Sequence, residues 1–239
     1  MTEQQIKQIV ETLAKQHNIS TESNEELPYA LAYFHQEDKI YYNPSEIIDY
    51  YRELKELDSR LDLEELIKHC FGHELGHRKK YKSCTPEDIK LDFTLLNIFH
   101  YPEETINLLP EEHRTRFPIY RAHSIAYELF EEYYAEKENP LASPHITKLS
   151  TLSALQILKE HLPEVRRVIH SLISFSSEAI TAYFIAPLAK HPPRILRIFP
   201  EYPILLKIRK FCEKEIITPS DVFDKNKIEK IAEIILYEL

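Results

Sequence analysis

LDLEELIKHCFGHELGH, residues 61–77, is the stretch around which the chain is organised. Its apolar residues recur at the spacing of one helix face: Leu61, Leu63, Leu66, Ile67, Cys70 and Phe71. Asp62 and Glu64 favour a helix start, and the basic run after the last histidine lies where a helix dipole favours positive charge. The pattern therefore predicts one helix from about Leu61 to Tyr81.

The stretch ends in His73-Glu74-Leu75-Gly76-His77, which has the form H-E-x-x-H. Histidines four residues apart project from the same helix face, so both imidazoles can reach one metal ion. A zinc ion held in this way keeps an open position for water and lowers the pKa of that water, whose proton a neighbouring carboxylate can accept. The motif predicts metal-assisted hydrolysis with His73 and His77 as ligands and Glu74 as base; the alternative is two surface histidines on an ordinary helix.

Composition predicts a mainly helical protein. The 239 residues suit one large domain or two small ones. The chain has 2 glycines, Gly72 and Gly76, whereas Leu, Ile, Glu and Lys are abundant, which favours helix over glycine-dependent turns. Because both glycines flank the first motif histidine, we expect them to let another element approach the motif helix closely.

Charge and cysteine content restrict the partners and the redox environment that the protein can have. A formal charge of −9 argues against nonspecific nucleic-acid binding, which needs a basic surface. Cys70, Cys84 and Cys212 form neither a C-x-x-C pair nor a disulfide framework, which fits a reducing interior. No stretch approaches the roughly 18 apolar residues of a membrane span, and the N-terminus has no apolar signal region. We expect a soluble, cytoplasmic protein that binds neither nucleic acid nor membrane; the sequence does not predict its oligomeric state.

The remaining elements follow from local signals. Two aromatic-rich runs, Tyr29–Phe34 and Lys39–Tyr42, flank a polar turn and predict a β-hairpin, the only convincing strand signal. Helix signals lie at 3–17, after Asn43-Pro44, after Thr85-Pro86, at 119–138 and at 226–238. The expected fold class is therefore mainly α with a small β-hairpin or sheet (α+β).

Catalytic zinc sites have three protein ligands, so a third must lie outside the motif. A metzincin extension would place Gly and His three and six residues after His77, but Lys80 and Ser83 stand there. The third ligand is therefore expected on a later helix.

Two glutamates are candidates for this ligand. Glu132 shares a helical face with apolar residues, which turns its carboxylate toward the core: Ile125, Leu129 and Ala135. Glu178 is an isolated carboxylate in an otherwise apolar stretch and ranks second. A solvated Glu132, or a Glu178 hydrogen-bonded to a neighbouring side chain, is the alternative to a ligand role.

The spelling Glu132-x-x-Ala135-Glu136 resembles the third-ligand helix of gluzincin metallopeptidases, and the resemblance covers about residues 29–138. It implies a zincin-like helical core and a zinc-dependent peptidase that acts on peptides or proteins. Glu136 would then be the carboxylate that orients a ligand histidine. In gluzincins a strand before the motif helix pairs with extended substrate, and the hairpin, Ile40-Tyr41-Tyr42 especially, occupies that place here; a hairpin with no substrate role is the alternative.

The resemblance divides the chain into a metallopeptidase domain, 1–144, and a helical C-terminal region, 145–239, which can pack on the first as one unit. Because the second region shows no recognisable chemistry, another hypothesis is a non-catalytic helical binding or regulatory protein with a structural or vestigial metal site. A third is that the C-terminal helices cover the cleft.

Two roles stay open in the sequence. His69, one turn before His73, is either a surface residue or a support for the ligands. The donor that stabilises an oxyanion could be any of four residues: His123, Tyr127, His145 or Tyr183.

Overall fold

The computed structural model describes residues 2–99, 110–114, 116–153 and 203–238. Over these residues the chain is mainly helical with one small sheet, which confirms the predicted fold class. In chain order the elements are α1 (Glu3–His17), β1 (Ser20–Ser23), β2 (Leu31–Phe34), β3 (Lys39–Tyr42), α2 (Pro44–Leu57), α3 (Leu63–Tyr81), α4 (Pro86–Phe99), α5 (Glu111–Arg114), α6 (Phe117–Lys137), α7 (residues 144–153), α8 (Pro203–Glu215), a 3₁₀ turn (Pro219–Phe223) and α9 (Lys225–Glu238).

Helix starts follow the capping residues of the sequence. Thr2 and Gln5 form a reciprocal capping box at α1, and the Asn43 side chain accepts the Ser45 N–H at α2. Asp62 caps α3 by accepting the Glu65 N–H, so this helix begins just after the predicted residue. These caps satisfy backbone donors that a helix cannot satisfy internally.

The sheet has the strand order β1-β3-β2. β2 and β3 form the predicted antiparallel hairpin, with Tyr33 opposite Ile40, whereas β1 runs parallel to β3. The sequence STES of β1 is polar and short and carries no strand signal. Because β3 has a neighbour on each side, the expectation that Ile40-Tyr41-Tyr42 offer a strand edge to a substrate is wrong. Among the described residues the edge strands of this sheet are β1 and β2, and β2 belongs to the predicted hairpin.

The chain divides into two compact units, each built from separate stretches: residues 1–82 with 135–153, and residues 83–134 with 154–239. The predicted functional division at residue 144 stays a prediction. α6 is continuous, and its last residues, from Ala135, belong to the first unit. No helix among the described residues has both the length and the apolar character needed to cross a membrane.

Each unit has its own core. In the first unit, α1, the sheet and α3 each contribute one face to a shared apolar cluster that includes Val10, Ile40 and Phe71. In the second, α6, α8 and α9 meet around Phe130, Cys212 and Ile231. Burial of one such large apolar side chain stabilises a fold by about 1.5–3 kcal/mol.

Candidate metal centre

α3 brings the two motif histidines together as the sequence predicts. Four residues apart on a regular helix, His73 and His77 lie with their Nε2 atoms 3.1 Å apart. Two nitrogens that each lie about 2.0–2.1 Å from one tetrahedral zinc ion are separated by about 3.3 Å. The observed separation therefore matches two ligands of a single ion.

Glu132 on α6 completes a group of three donors. One ligand atom each from His73, His77 and Glu132 lies within 4.8 Å of the others, so the group could hold a metal ion. Of the three neighbours on the predicted inward face, Leu129 and Ala135 are buried and Ile125 is partly buried. The structure thus brings together the three residues that the sequence singled out as ligands.

Glu136 lies against the first of these histidines, as its predicted role requires. Its Oε2 is 3.2 Å from His73 Nδ1, and its side chain is buried. A carboxylate at Nδ1 favours the tautomer with the hydrogen on that nitrogen, which leaves the Nε2 lone pair for a metal. The contact supports the orienting role, which itself stays a prediction.

Glu136 is itself held by three side chains. Asn139 Nδ2 lies 3.3 Å from Oε2, and Thr147 Oγ1 donates to Oε1 at 3.4 Å. His69 Nε2 lies 3.7 Å from Oε2, while its Nδ1 accepts the Ser143 N–H at 3.2 Å. His69 is 8% exposed, so a surface position is excluded and the supporting position remains.

Glu74, the predicted base, is buried beside the sheet. The backbone N–H of Tyr33 donates to its Oε2 at 2.8 Å. This donor lies on β2, at the side of the strand that does not face β3, so the edge N–H is satisfied by the carboxylate. The sequence could not reveal this contact, because a backbone donor carries no residue signature.

A second set of contacts fixes the hairpin to α3. Arg78 donates through Nε and Nη2 to the two carboxylate oxygens of Asp38, at 2.7 and 2.9 Å. The Tyr33 hydroxyl donates to the same Asp38 at 3.0 Å. The Arg78 guanidinium holds the pKa of Asp38 well below its usual value, and burial, followed by the Asp38 contact, raises the pKa of Tyr33. The strand that contacts Glu74 is therefore tied to the helix that carries it.

The two glycines identify the element that approaches α3. A Cβ built on Gly76 would lie 2.1 Å from the backbone oxygen of Ala135, the residue before Glu136. A Cβ built on Gly72 would lie 2.0 Å from Asn139 Oδ1. The expected close approach is confirmed, and it is made by the end of α6 and the turn after it.

No family model, curated protein or solved structure matches the chain. The geometry of these residues is therefore the evidence for a metal site.

The structure gives no added support to the other residues that the sequence offered as a third ligand or as an oxyanion donor. Glu178 and Tyr183 lie outside the described residues. The Tyr127 hydroxyl donates to the buried Asp92, and both ring nitrogens of His145 contact carboxylates, those of Glu65 and Asp58. His123 Nδ1 lies 2.7 Å from the Ile119 carbonyl oxygen. These contacts leave the oxyanion donor unassigned.

Proposed function

We propose that the chain is a zinc-dependent peptidase. The observation that carries the proposal is the grouping of His73, His77 and Glu132, with Glu74 next to the first ligand on the same helix. The resemblance to gluzincin metallopeptidases at residues 29–138 adds to it.

The donor set fits zinc. Two imidazoles and one carboxylate form a three-ligand set of the kind found in catalytic zinc sites, which keep a further position for water or substrate. Glu136 supports this set, because it lies at Nδ1 of His73 and leaves Nε2 for the metal. Bound zinc would polarise water and the carbonyl group of a peptide bond.

Residues of this chain would then transfer the proton that hydrolysis requires. Glu74 would accept a proton from the attacking water and return it to the nitrogen of the leaving amine as the C–N bond breaks. The Tyr33 N–H holds one oxygen of this carboxylate in place at 2.8 Å, which fixes the orientation of the base. A base that is already oriented loses less conformational freedom when substrate binds.

The test combines metal content with hydrolysis of a mixed peptide library. We expect Glu74→Gln to retain about one zinc per chain and to lose about 10²–10⁴-fold in hydrolysis, the usual contribution of a general base. His73→Ala should lose the zinc. Glu64→Gln is the matched control, since Glu64 lies on the same helix but is 53% exposed and pairs with Lys68.

Each failure has its own meaning. Full activity of Glu74→Gln excludes this carboxylate as the base, and unchanged zinc in His73→Ala excludes the metal centre. A wild-type protein that binds zinc but hydrolyses no peptide is instead a non-catalytic protein with a structural metal site.

A further inference from the structure

We propose that Asn139 is a positioning residue of the metal centre, which holds Glu136 against His73 and so increases metal affinity. The inference rests on the metal-binding part of the proposed function and requires no peptidase activity. Asn139 contacts no ligand directly; it acts through the Glu136 carboxylate.

The hydrogen bonds of Asn139 use its whole amide group. Nδ2 donates to the His69 carbonyl oxygen at 3.0 Å and to Glu136 Oε2 at 3.3 Å, and Oδ1 accepts the Leu141 N–H at 2.9 Å. The residue is 7% exposed. Because an amide has two donor hydrogens, both are accounted for, and the side chain is fixed from three directions.

α3 leaves room for this amide only because residue 72 is glycine. An added Cβ there would lie 2.0 Å from Asn139 Oδ1 and 2.7 Å from Leu141 Cβ. Gly72 precedes His73 directly, so the amide enters next to the ligand. The helix and the turn are thus matched in shape at the residue before the first ligand.

The direction of the Glu136 carboxylate decides which histidine it can orient. Oε2 lies 3.2 Å from His73 Nδ1 but also 3.7 Å from His69 Nε2, so a modest rotation would favour the wrong histidine. The Asn139 N–H is a donor to this same oxygen and restrains that rotation. A correctly directed carboxylate fixes the ring and the tautomer of a metal-binding histidine.

A second asparagine shows that the contact with Glu136 is not needed for the turn. Asn43, like Asn139, precedes a proline, and its Oδ1 accepts the N–H two residues on, from Ser45. Its Nδ2 donates to two backbone carbonyls, those of Glu25 and Leu27, and it is 3% exposed. The two residues share burial, a following proline and a side-chain oxygen that accepts the N–H two residues on, and they differ in the carboxylate that Asn139 contacts.

This pair gives a matched experiment on the full chain. Asn139→Asp keeps the Oδ1 acceptor but replaces the NH₂ group, which donates to Glu136 and to the His69 carbonyl oxygen, with an oxygen that repels both acceptors. We expect zinc affinity, measured by competition with a chromophoric chelator, to fall about 10–100-fold. Asn43→Asp should leave zinc affinity unchanged. Urea unfolding of the metal-free proteins records the structural cost of each change separately.

Asn139→Ala and Asn43→Ala repeat the comparison without a buried charge, so the test survives if an aspartate variant does not fold. Equal zinc affinity in the Asn139 and Asn43 variants overturns the inference and leaves the peptidase proposal standing. A wild-type chain that binds no zinc overturns both. Selective loss in the Asn139 variants of a protein that hydrolyses no peptide supports the inference and refutes the peptidase.

Discussion

Replacement of Gly76 by alanine tests the packing beside the proposed metal centre. Gly76 lies one turn after His73 and one residue before His77, and it faces the Ala135 backbone. An added Cβ would lie 2.1 Å from Ala135 O and 2.7 Å from its carbonyl carbon. Neither atom belongs to a side chain that could rotate away, so relief requires the two helices to separate.

The magnitude follows from this overlap. The backbones must separate by about 1 Å before the added Cβ is 3.0 Å from the oxygen. Overpacking of this kind costs about 1–3 kcal/mol, whereas the change from glycine to alanine inside a helix gains about 1 kcal/mol. We therefore expect a net loss of up to about 2 kcal/mol in the free energy of unfolding of the metal-free protein.

Zinc affinity should fall together with stability. Glu136 follows Ala135, so the same separation moves its Oε2 away from His73 Nδ1, now 3.2 Å distant, and out of hydrogen-bond range. The assays are urea unfolding without metal and chelator competition with zinc. A Gly76→Ala variant that is stabilised by about 1 kcal/mol, the gain from helix propensity alone, and that binds zinc as wild type does would refute the described approach of α6 to α3.

Two further predictions concern single groups. Because Arg78 lowers the pKa of Asp38 in the folded state, the stability from this pair is present above the unfolded carboxyl pKa of about 3.9 and is lost as pH falls. Asp38 is 40% exposed, so solvent weakens this contribution. Between about pH 7 and pH 3, the free energy of unfolding measured with urea should fall by about 1 kcal/mol more in wild type than in Asp38→Asn. Equal falls in the two proteins would contradict this. Burial raises the pKa of the Cys212 thiol, so iodoacetamide at about pH 8 should label this residue only after unfolding, and rapid labelling of the native protein would count against its burial.

The elements of the fold that sequence predicts well are those with their own boundary signals. Asn43-Pro44 and Asp62 mark helix starts that the structure confirms, and the aromatic runs predict the hairpin. β1 was missed because its polar residues gain their strand conformation from pairing with β3, which lies about 20 residues away in sequence. The same tertiary pairing moves Ile40-Tyr41-Tyr42 from the expected edge to the centre of the sheet.

For the site, sequence predicts side chains on one helix better than contacts between elements. Helical periodicity is sufficient to place His73 beside His77, and the structure groups Glu132 with them. The contact of Glu74 with Tyr33 is a backbone contact and leaves no trace in residue type. Asn139-Pro140 did leave a signal in the sequence, the end of the helix before it, but that signal does not indicate a contact with Glu136.

The two carboxylates next to the proposed metal ligands are therefore controlled by different parts of the chain. Glu74 is held by an edge strand that precedes the motif, whereas Glu136 is held by a turn that follows α6. A change at Asn139 should accordingly weaken metal binding without moving the Tyr33 contact, and a change in the hairpin should affect the base without changing zinc affinity. In the proposed site the H-E-x-x-H motif supplies two ligands and the base, and segments before and after the motif hold Glu74 and Glu136 in place.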